Sequence, residues 1–459
     1  MASELPFVTP PPYPAGARRK DAARRRQLLV GCTAPPLFFA LLLALLWYAR
    51  MADPVVKLPV APVPRPNAFD VYLRATKQLV RENDIGDVAS YSGPKNGRQF
   101  TPAEKAALVA ANARVLATVR SGLALPYREP TPVPRSIDTP LPHYAKFRNV
   151  ARLLALDGRV RAARGDDSPG AVNASLDAVQ MGQQIPRGAV PIGRLVGIAC
   201  QTIGRRPVWE TAPRMSAKTA RAGARRMETI IAQNVGLDET LVEEKYFGQA
   251  ALLEMFREPE RFAASMAQDD GDEQAQIKPG SAKTEGAILR GLFFIYGKKR
   301  ILNNYTQFMD RVIDLGRRRY AEGSGKQPLP SDPVGQIVAI DYRVLGIKYA
   351  ENQTQNALLT AALAVQAYRA EHGGAAPPTL AALVPAYLKS VPADPFAATQ
   401  NAPLGYRVAL GNAPVIYSVG PDGKDDHGAP INDPAATGNK RRYVTKTSRG
   451  DVVAGVNIF

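Results

Sequence analysis

Cysteine and histidine are almost missing from this 459-residue sequence, which contains two cysteines and three histidines. Two cysteines allow at most one disulfide bond, so a disulfide-rich scaffold is excluded. A zinc site made of four cysteines is excluded as well, and three widely separated histidines argue against a histidine-based metal centre. The chain is therefore not built around thiol or imidazole chemistry.

The signatures of common enzyme classes are also missing. The sequence has no phosphate-binding P-loop, no dinucleotide-binding glycine motif, no H-E-x-x-H and no G-x-S-x-G. Three carboxylates, Glu243, Glu244 and Glu254, fall in a helical pattern over 237–255. Paired carboxylates on a helix usually form a solvated face or pair with nearby basic residues. We therefore favour a non-enzymatic protein and keep an envelope hydrolase using these three carboxylates as the alternative.

The composition is that of a folded, basic protein. Hydrophobic residues make up 45% of the chain, which is enough for real cores, and 37 glycines and 40 prolines predict long loops or linkers. The net charge of +18 is spread over short clusters without interleaved aromatic residues, so we predict no nucleic-acid partner. One cluster, Arg317-Arg318-Arg319, lies near a helix end and is interpreted as complementing the helix dipole.

A long apolar run lies near the N-terminus. Residues 28–49 contain no charged side chain, and six basic residues lie between positions 18 and 26. A run of this length matches about 30 Å of hydrocarbon, and basic flanks stay on the cytoplasmic side. The pattern predicts a single-pass signal anchor in the bacterial cytoplasmic (inner) membrane. Residues 28–49 would contact the lipid bilayer, with the N-terminus in the cytoplasm and the later domains outside.

The rest of the chain is predicted to have an α+β fold in several parts. Residues 1–27 are read as a disordered basic tail, 50–66 as a proline-rich linker, 67–325 as a helical domain and 333–459 as an α+β module. Within the helical domain, Thr101-Pro102-Ala103-Glu104 predicts a helix start with a capping box. Segments 147–164 and 171–184 predict a helical hairpin, with small residues such as Gly182 where helices can approach closely.

The C-terminal module carries a series of short motifs after one long helix predicted over 334–371. In order, the motifs are Tyr368, His372-Gly373, Pro378-Thr379 with Leu380 and Leu383, Asp394-Pro395-Phe396, Tyr406, and Ser418-Val419-Gly420-Pro421-Asp422-Gly423. Together they resemble the globular part of the major pseudopilin of type II secretion systems, over roughly 356–433. The resemblance implies a long helix packed on a small antiparallel sheet. No prepilin-peptidase site precedes Val334, so assembly into a pseudopilus is not inferred.

A glycine-rich loop of this module concentrates carboxylates at Asp422, Asp425 and Asp426. Carboxylates this close repel one another unless a hard cation or solvent offsets their charge, and calcium takes six to eight oxygen ligands. The resemblance implies calcium binding with Asp422 at a ligand position, and Asp433 and a carbonyl near Ser418 are looser candidates. The other interpretation is a solvated turn, in which Asp and Gly supply left-handed conformations.

These observations lead to one functional hypothesis. The chain is expected to be a membrane-anchored, extracytoplasmic scaffold or interaction protein of the bacterial cell envelope, with an unknown envelope protein as its partner. A link to secretion or envelope assembly is implied by the pseudopilin resemblance alone.

Overall fold

A computed structural model describes residues 38–88, 99–132, 135–136, 139–165, 167–268, 279–323, 327–339 and 341–457. The chain divides into two compact units. The small unit comprises Met1–Val55 and Phe256–Ile301, and the large unit comprises Val56–Met255 and Leu302–Phe459. The predicted domain boundaries at 325 and 333 stay a prediction.

Helices dominate the described residues. In chain order they are α1 (38–51), α2 (Ala68–Thr76), α3 (Glu82–Val88), α4 (Pro102–Ala111), α5 (Ala113–Leu123), α6 (His143–Ala163), α7 (Pro169–Gln184), α8 (Pro191–Thr211), α9 (Ala217–Ile231), α10 (Leu237–Arg257), α11 (Pro259–Gln268), α12 (Pro279–Tyr296), α13 (Lys298–Arg317), α14 (Tyr320–Gly323), α15 (Pro333–Ile337) and α16 (Tyr342–Glu371). Short 3-10 helices cover Ala212–Arg214, Leu380–Leu383 and Gly438–Arg442. Strands β1 (Gly405–Ala409), β2 (Ala413–Ser418) and β3 (Val452–Val453) form one antiparallel sheet in the order β1-β2-β3.

The predicted membrane-spanning helix is not borne out. Among the described residues, no helix combines the length and the apolar character that crossing a bilayer requires. The described part of α1 spans about 21 Å at 1.5 Å per residue, against about 30 Å of hydrocarbon. Positions 28–37 of the predicted 28–49 span lie outside the described residues. The α+β class with a transmembrane helix is therefore corrected to a mostly helical fold with a small sheet, and the single-pass inner-membrane localisation is corrected with it.

Local helix signals agree with the structure in most places. Thr101 caps α4, and its side chain and Glu104 form the predicted capping box. The helical hairpin is present as α6 and α7. The single long helix predicted over 334–371 is instead two helices, α15 and α16, because Asp341 turns its side chain to the backbone NH of Arg343 and begins a new helix there. A carboxylate in this position satisfies a free NH group of the first turn.

Two hydrophobic cores lie in the large unit. One is formed by residues of α2–α8, with Phe147, Leu153 and Met181 fully buried. The other joins α7, α8, α9 and α16 to the C-terminal sheet, with Leu359 and Phe396 among its members. Because α16 contributes to this second core along its length, the sheet and the helices share one apolar interior.

Ion pairs link the helices around the first core. Arg120 of α5 donates from Nη2 to Asp157 of α6 at 2.6 Å and from Nε to Asp177 of α7 at 2.7 Å. Arg226 of α9 reaches the other oxygen of Asp177 at 2.5 Å. Both carboxylates are buried, at 3% and 5% exposed. Hydrogen bonds to the two aspartates raise the pKa of Arg120 against the opposing effect of burial, so the guanidinium stays charged.

Helices α7 and α8 meet at glycines. A Cβ atom on Gly182 would lie 2.5 Å from the carbonyl oxygen of Gly197, and one on Gly197 would lie 2.6 Å from the carbonyl oxygen of Gly182. Real side chains do not approach backbone this closely, so the two backbones can touch only because both positions lack a Cβ atom. The small residues noted in the α6–α7 hairpin therefore mark a real close approach at Gly182.

A buried polar network fixes α16 against α8. Nη1 of Arg205 donates to the side-chain oxygens of Asn352 at 2.8 Å and Asn356 at 2.7 Å. Both asparagines donate in turn to Gln201, at 3.0 and 2.9 Å. Polar groups buried in an apolar interior are costly unless they are satisfied, so this network favours one register between the two helices.

The C-terminal sheet is anchored by a buried aspartate. Asp394 accepts hydrogen bonds from Ser418 Oγ at 2.6 Å, from Val419 N at 2.9 Å and from Phe396 N at 2.9 Å. Burial raises the pKa of Asp394, and these hydrogen bonds oppose that effect. The Asp-Pro-Phe turn is thereby tied to the end of β2, which places the loop after β2 beside α16.

Candidate binding cleft

A cleft of about 590 Å³ lies within the large unit, where the helices meet the loops of the C-terminal module. We call it the binding cleft. Its walls come from the start of α10, the end of α13, α14, the first half of α16, and loops near Pro395, Pro421 and Lys446. Its volume lies in the range of sites that hold a small ligand or a short segment of a partner.

The floor of the binding cleft is apolar and aromatic. Leu237 and Leu241 contribute from α10 and Leu315 from α13, and Tyr320 and Tyr349 add aromatic side chains. Tyr320 packs edge-on against a buried phenylalanine, with ring centroids 5.0 Å apart. Tyr349 accepts a hydrogen bond from an asparagine side chain at 2.6 Å and lies under the guanidinium of a buried arginine. Both rings are therefore held in place before any ligand arrives.

In the part of the chain that the structure describes, four basic residues and no carboxylate line the binding cleft. Arg318 and Lys446 are exposed, and among the residues that the structure describes neither forms an ion pair with a carboxylate. Arg318 follows α13, whereas Lys446 belongs to the last loop of the C-terminal module. The cleft therefore carries positive charge from both of the parts that form it.

The other two cations already have partners. Arg319 donates to the carbonyl of Ala398 and to the carboxylate of Glu322. Arg343 forms a bidentate pair with Asp341, at 2.8 and 2.7 Å. The hydrogen bond from Arg343 is the main reason that the pKa of Asp341 lies below its usual range. Lys446 makes a smaller contribution to the same lowering, so Asp341 offsets part of its charge as well. The rim therefore carries four cations against two neighbouring carboxylates, Glu322 and Asp341, and its net charge is positive.

One face of α16 runs along the binding cleft. Tyr342, Gly346, Tyr349 and Gln353 recur at helical spacing on this face. A Cβ atom on Gly346 would have no other atom within 4 Å, so this glycine opens the cleft instead of packing against a neighbour. A larger side chain at position 346 can be placed in the cleft without displacing backbone.

The predicted calcium loop is arranged as a set of turns. Asp422 Oδ1 accepts from the backbone NH of Lys424 at 3.3 Å. Asp425 Oδ1 accepts from the backbone NH of His427 at 2.8 Å and lies 3.5 Å from the imidazole Nδ1 of the same residue. These contacts are typical of aspartates that stabilise their own turn. Pro421, the residue before Asp422, lines the binding cleft.

A fourth carboxylate, which the sequence patterns did not single out, lies under this loop. Asp451 is fully buried and accepts from the backbone NH groups of Asp426 at 3.3 Å and Gly428 at 2.6 Å. Burial, with smaller contributions from Asp425 and Asp426, raises the pKa of Asp451 to about 6. A cation held by this loop would oppose that effect by favouring the charged carboxylate.

No group of three or more metal-ligating side chains converges in the described part of the chain. The predicted ligands Asp422, Asp425 and Asp426 lie on one loop. Of these three, Asp426 alone has a hydrogen bond to the carboxylate of Asp451, and this bond comes from its backbone NH. Calcium bound by the three loop aspartates stays a prediction that rests on the sequence and on the pseudopilin resemblance.

Two of the three carboxylates of the hydrolase alternative have separate partners. Glu243 pairs with Arg128 at 2.5 Å and with Arg135 at 3.5 Å. Glu254 accepts from the hydroxyl of Ser136 at 3.1 Å. Burial raises the pKa of Glu243, and the two arginines oppose this rise. Each of these two glutamates is bound by side chains of residues 128–136, and neither glutamate lines the binding cleft.

Glu244 lies in a different environment from the other two. It is buried, at 9% exposed, and accepts a hydrogen bond from the hydroxyl of Tyr342 at 3.3 Å. Burial raises the pKa of Glu244 to about 7, and the hydrogen bond from Tyr342 lowers it in part. Tyr342 lines the binding cleft, so Glu244 lies behind the cleft wall.

This pKa predicts a pH dependence of stability that Glu244→Gln removes. The pKa of a glutamate in the unfolded chain is about 4.3, so the folded state prefers the protonated form. The stability from this preference is fully present below about pH 4.3 and is lost as the pH rises through about 7. Relative to the glutamine variant, the native chain should lose about 2–3 kcal/mol of unfolding free energy between pH 4 and pH 8. Urea unfolding at pH 4 and pH 8 measures the free energy of unfolding of both proteins. If the two proteins show the same pH dependence, the raised pKa of Glu244 is wrong.

Several residues of the binding cleft had no distinct signal in the sequence. The arginine triplet at 317–319 was visible, but it was read as a helix-dipole contact, whereas Arg318 borders the cleft. Lys446 is a single basic residue in a polar loop, and Tyr320 and Tyr349 look like ordinary helix residues. Nothing local shows that residues more than 200 positions apart, from Leu237 to Thr447, share one cleft.

Cys200 agrees with its sequence interpretation as a small core residue. It is fully buried in α8, and its thiol contacts the carbonyl of Phe147 at 3.8 Å. Burial raises the pKa of this thiol to about 12, which disfavours the reactive thiolate form.

No known protein family, curated protein or solved structure matches the chain.

Proposed function

We propose that this chain is a non-enzymatic interaction protein whose partner docks in the binding cleft. The observation that carries the proposal is the cleft itself: a preformed apolar floor, a rim with a net positive charge, and no carboxylate among the described lining residues. Sites that bind a ligand without transforming it use shape and charge complementarity, and a formed cleft with a net positive rim can supply both. A link to secretion, implied by the pseudopilin resemblance, stays part of the proposal.

The hydrolase alternative has less support from the geometry. A glycosidase-like mechanism needs two carboxylates facing the same bond. Glu243, Glu244 and Glu254 instead contact Arg128, Tyr342 and Ser136 respectively. None of the three glutamates lines the cleft that could hold a substrate.

Filling the binding cleft tests the proposed function. Gly346→Trp places an indole in the open space above α16, whereas Gly346→Ala leaves the cleft open and improves helix propensity. Tagged full-length protein and both variants are used to capture partners from a lysate of the source organism, with quantitative mass spectrometry as the readout. A true partner should be retained by Gly346→Ala and reduced on the order of tenfold by Gly346→Trp, which corresponds to about 1.4 kcal/mol.

The same comparison can overturn the proposal. If every protein captured by the native chain is captured equally by the folded Gly346→Trp variant, the cleft is not the docking site. Circular dichroism of the variants separates loss of the cleft from loss of the fold.

A further inference from the structure

We propose that the binding cleft takes an extended acidic segment of a partner protein, about five residues long, with apolar side chains between its carboxylates. This inference rests on the proposed function and specifies the chemistry of the partner. It is carried by three observations: the charge of the rim, the length of the α16 face and the apolar floor.

The charge of the rim sets the sign and the number of ligand charges. Arg319 and Arg343 are balanced by Glu322 and Asp341. Asp341 also attracts Lys446, so these two carboxylates face four cations and leave a net charge of about +2 that is centred on the exposed Arg318 and Lys446. Two carboxylates on a ligand would balance these two cations, whereas a ligand with basic side chains would meet repulsion from all four basic residues.

The α16 face sets the length of the segment. From Tyr342 to Gln353 the helix rises about 16 Å at 1.5 Å per residue. An extended chain covers the same distance in about five residues at about 3.3 Å each. Gln327 and Gln353 also line the cleft, but their amides already bond within the chain, to Tyr342 N at 2.7 Å and to Asn234 Oδ1 at 2.9 Å, so the α16 face alone sets the length of the segment.

The apolar floor favours a peptide over a bare polyanion. Leu241, Leu315 and Tyr349 offer surface that gains from contact with apolar side chains. Inorganic phosphate or a chain of acidic residues alone would satisfy the rim and leave this floor uncovered. An amphipathic segment contacts both the apolar floor and the basic rim. Its apolar side chains gain affinity on the floor, and its carboxylates gain selectivity at the rim.

The test uses synthetic peptides and the full-length protein. The probe is a fluorescent peptide with the sequence Glu-Leu-Phe-Leu-Glu, and its affinity is measured by fluorescence anisotropy at low salt. The comparison peptides are Gln-Leu-Phe-Leu-Gln, Lys-Leu-Phe-Leu-Lys and penta-glutamate. We expect the probe to bind on the order of tenfold more tightly than each comparison peptide and to weaken as salt is added. Equal affinity for the neutral peptide and the probe would contradict the inference.

Charge reversal locates the contact. The double variant Arg318→Glu with Lys446→Glu should weaken probe binding on the order of tenfold. The matched control is Lys440→Glu with Arg442→Glu, which changes the net charge equally at exposed positions that do not line the cleft. If both double variants weaken binding to the same degree, long-range attraction explains the affinity, and the proposed contact is wrong.

The cleft-filling variants separate the two proposals. If Gly346→Trp loses the captured partner but no acidic peptide binds, the proposed function stands and the acidic chemistry is wrong. If probe binding and partner capture both persist in Gly346→Trp, the binding cleft is not the docking site and both proposals fail. Loss of both in Gly346→Trp, with both retained in Gly346→Ala, supports the two together.

Discussion

Replacing Arg120 with methionine is expected to lower the free energy of unfolding by about 2–3 kcal/mol. Arg120 lies between Asp157 and Asp177, whose side chains are only 5% and 8% exposed. Methionine keeps much of the apolar stem but removes the cation that bridges the two buried carboxylates. Asp157 keeps Arg161 and Asp177 keeps Arg226, so each carboxylate loses one of its two charged partners. The loss is still large because one oxygen of each buried carboxylate is left without its charged hydrogen bond.

A neighbouring arginine provides the matched control for this prediction. Arg161 also pairs with Asp157, at 3.0 Å, but its side chain is 42% exposed. Arg161→Met should therefore cost less than about 1 kcal/mol. Urea unfolding measures the free energy of unfolding of both variants, and the comparison holds when their m-values agree with that of the native chain. Arg120→Lys keeps the positive charge but lacks the planar guanidinium that donates to both aspartates at once. This variant should therefore recover part of the free energy of unfolding that methionine loses. A loss for Arg120→Met no larger than that for Arg161→Met would refute the role given to Arg120.

Gly182→Ala is expected to cost about 3 kcal/mol or more, although it adds one methyl group. The new Cβ atom would lie 2.5 Å from the carbonyl oxygen of Gly197 and 2.8 Å from the backbone nitrogen of Gln201. Backbone atoms of a packed helix cannot turn away as the end of a flexible side chain can, so α7 and α8 must separate. Overpacking of this kind outweighs the gain in helix propensity that alanine brings.

Gly346→Ala is the control because it makes the same chemical change in a helix with open space. A Cβ atom there meets no other atom within 4 Å, so this variant should gain about 0.5–1 kcal/mol. The unfolding free energies of the two alanine variants should therefore shift in opposite directions. A stabilising effect of Gly182→Ala would show that the α7–α8 contact is looser than the structure has it.

Signals that act within a few residues were read correctly from the sequence. The capping box at Thr101 and the α6–α7 hairpin are present, and so is a small antiparallel sheet near the C-terminus. The capping box depends on backbone groups three positions apart, so the local sequence contains the information. The sheet is different, because it pairs residues as far apart as Ser418 and Val452 and was expected from the pseudopilin resemblance. The break at Asp341 was missed because the apolar pattern continues through it, although the aspartate caps α16.

The prediction of a membrane-spanning helix shows where composition alone misleads. An uncharged run with a basic flank predicted a span over 28–49, yet no helix among the described residues meets the requirements for crossing a bilayer. Contact between residues 28–49 and a lipid bilayer stays a prediction.

The sequence by itself indicated most of the helices of the large unit, and its two cysteines and three histidines argue against a site built on thiol or imidazole chemistry. Only the tertiary structure decided which charges are compensated and which surfaces stay open. Arg120 and Arg318 are both arginines near the ends of helices, yet one is held between two buried carboxylates and the other borders a cleft without a partner carboxylate. The physical reason is that burial and charge pairing depend on segments that are far apart in the chain, so packing decides them.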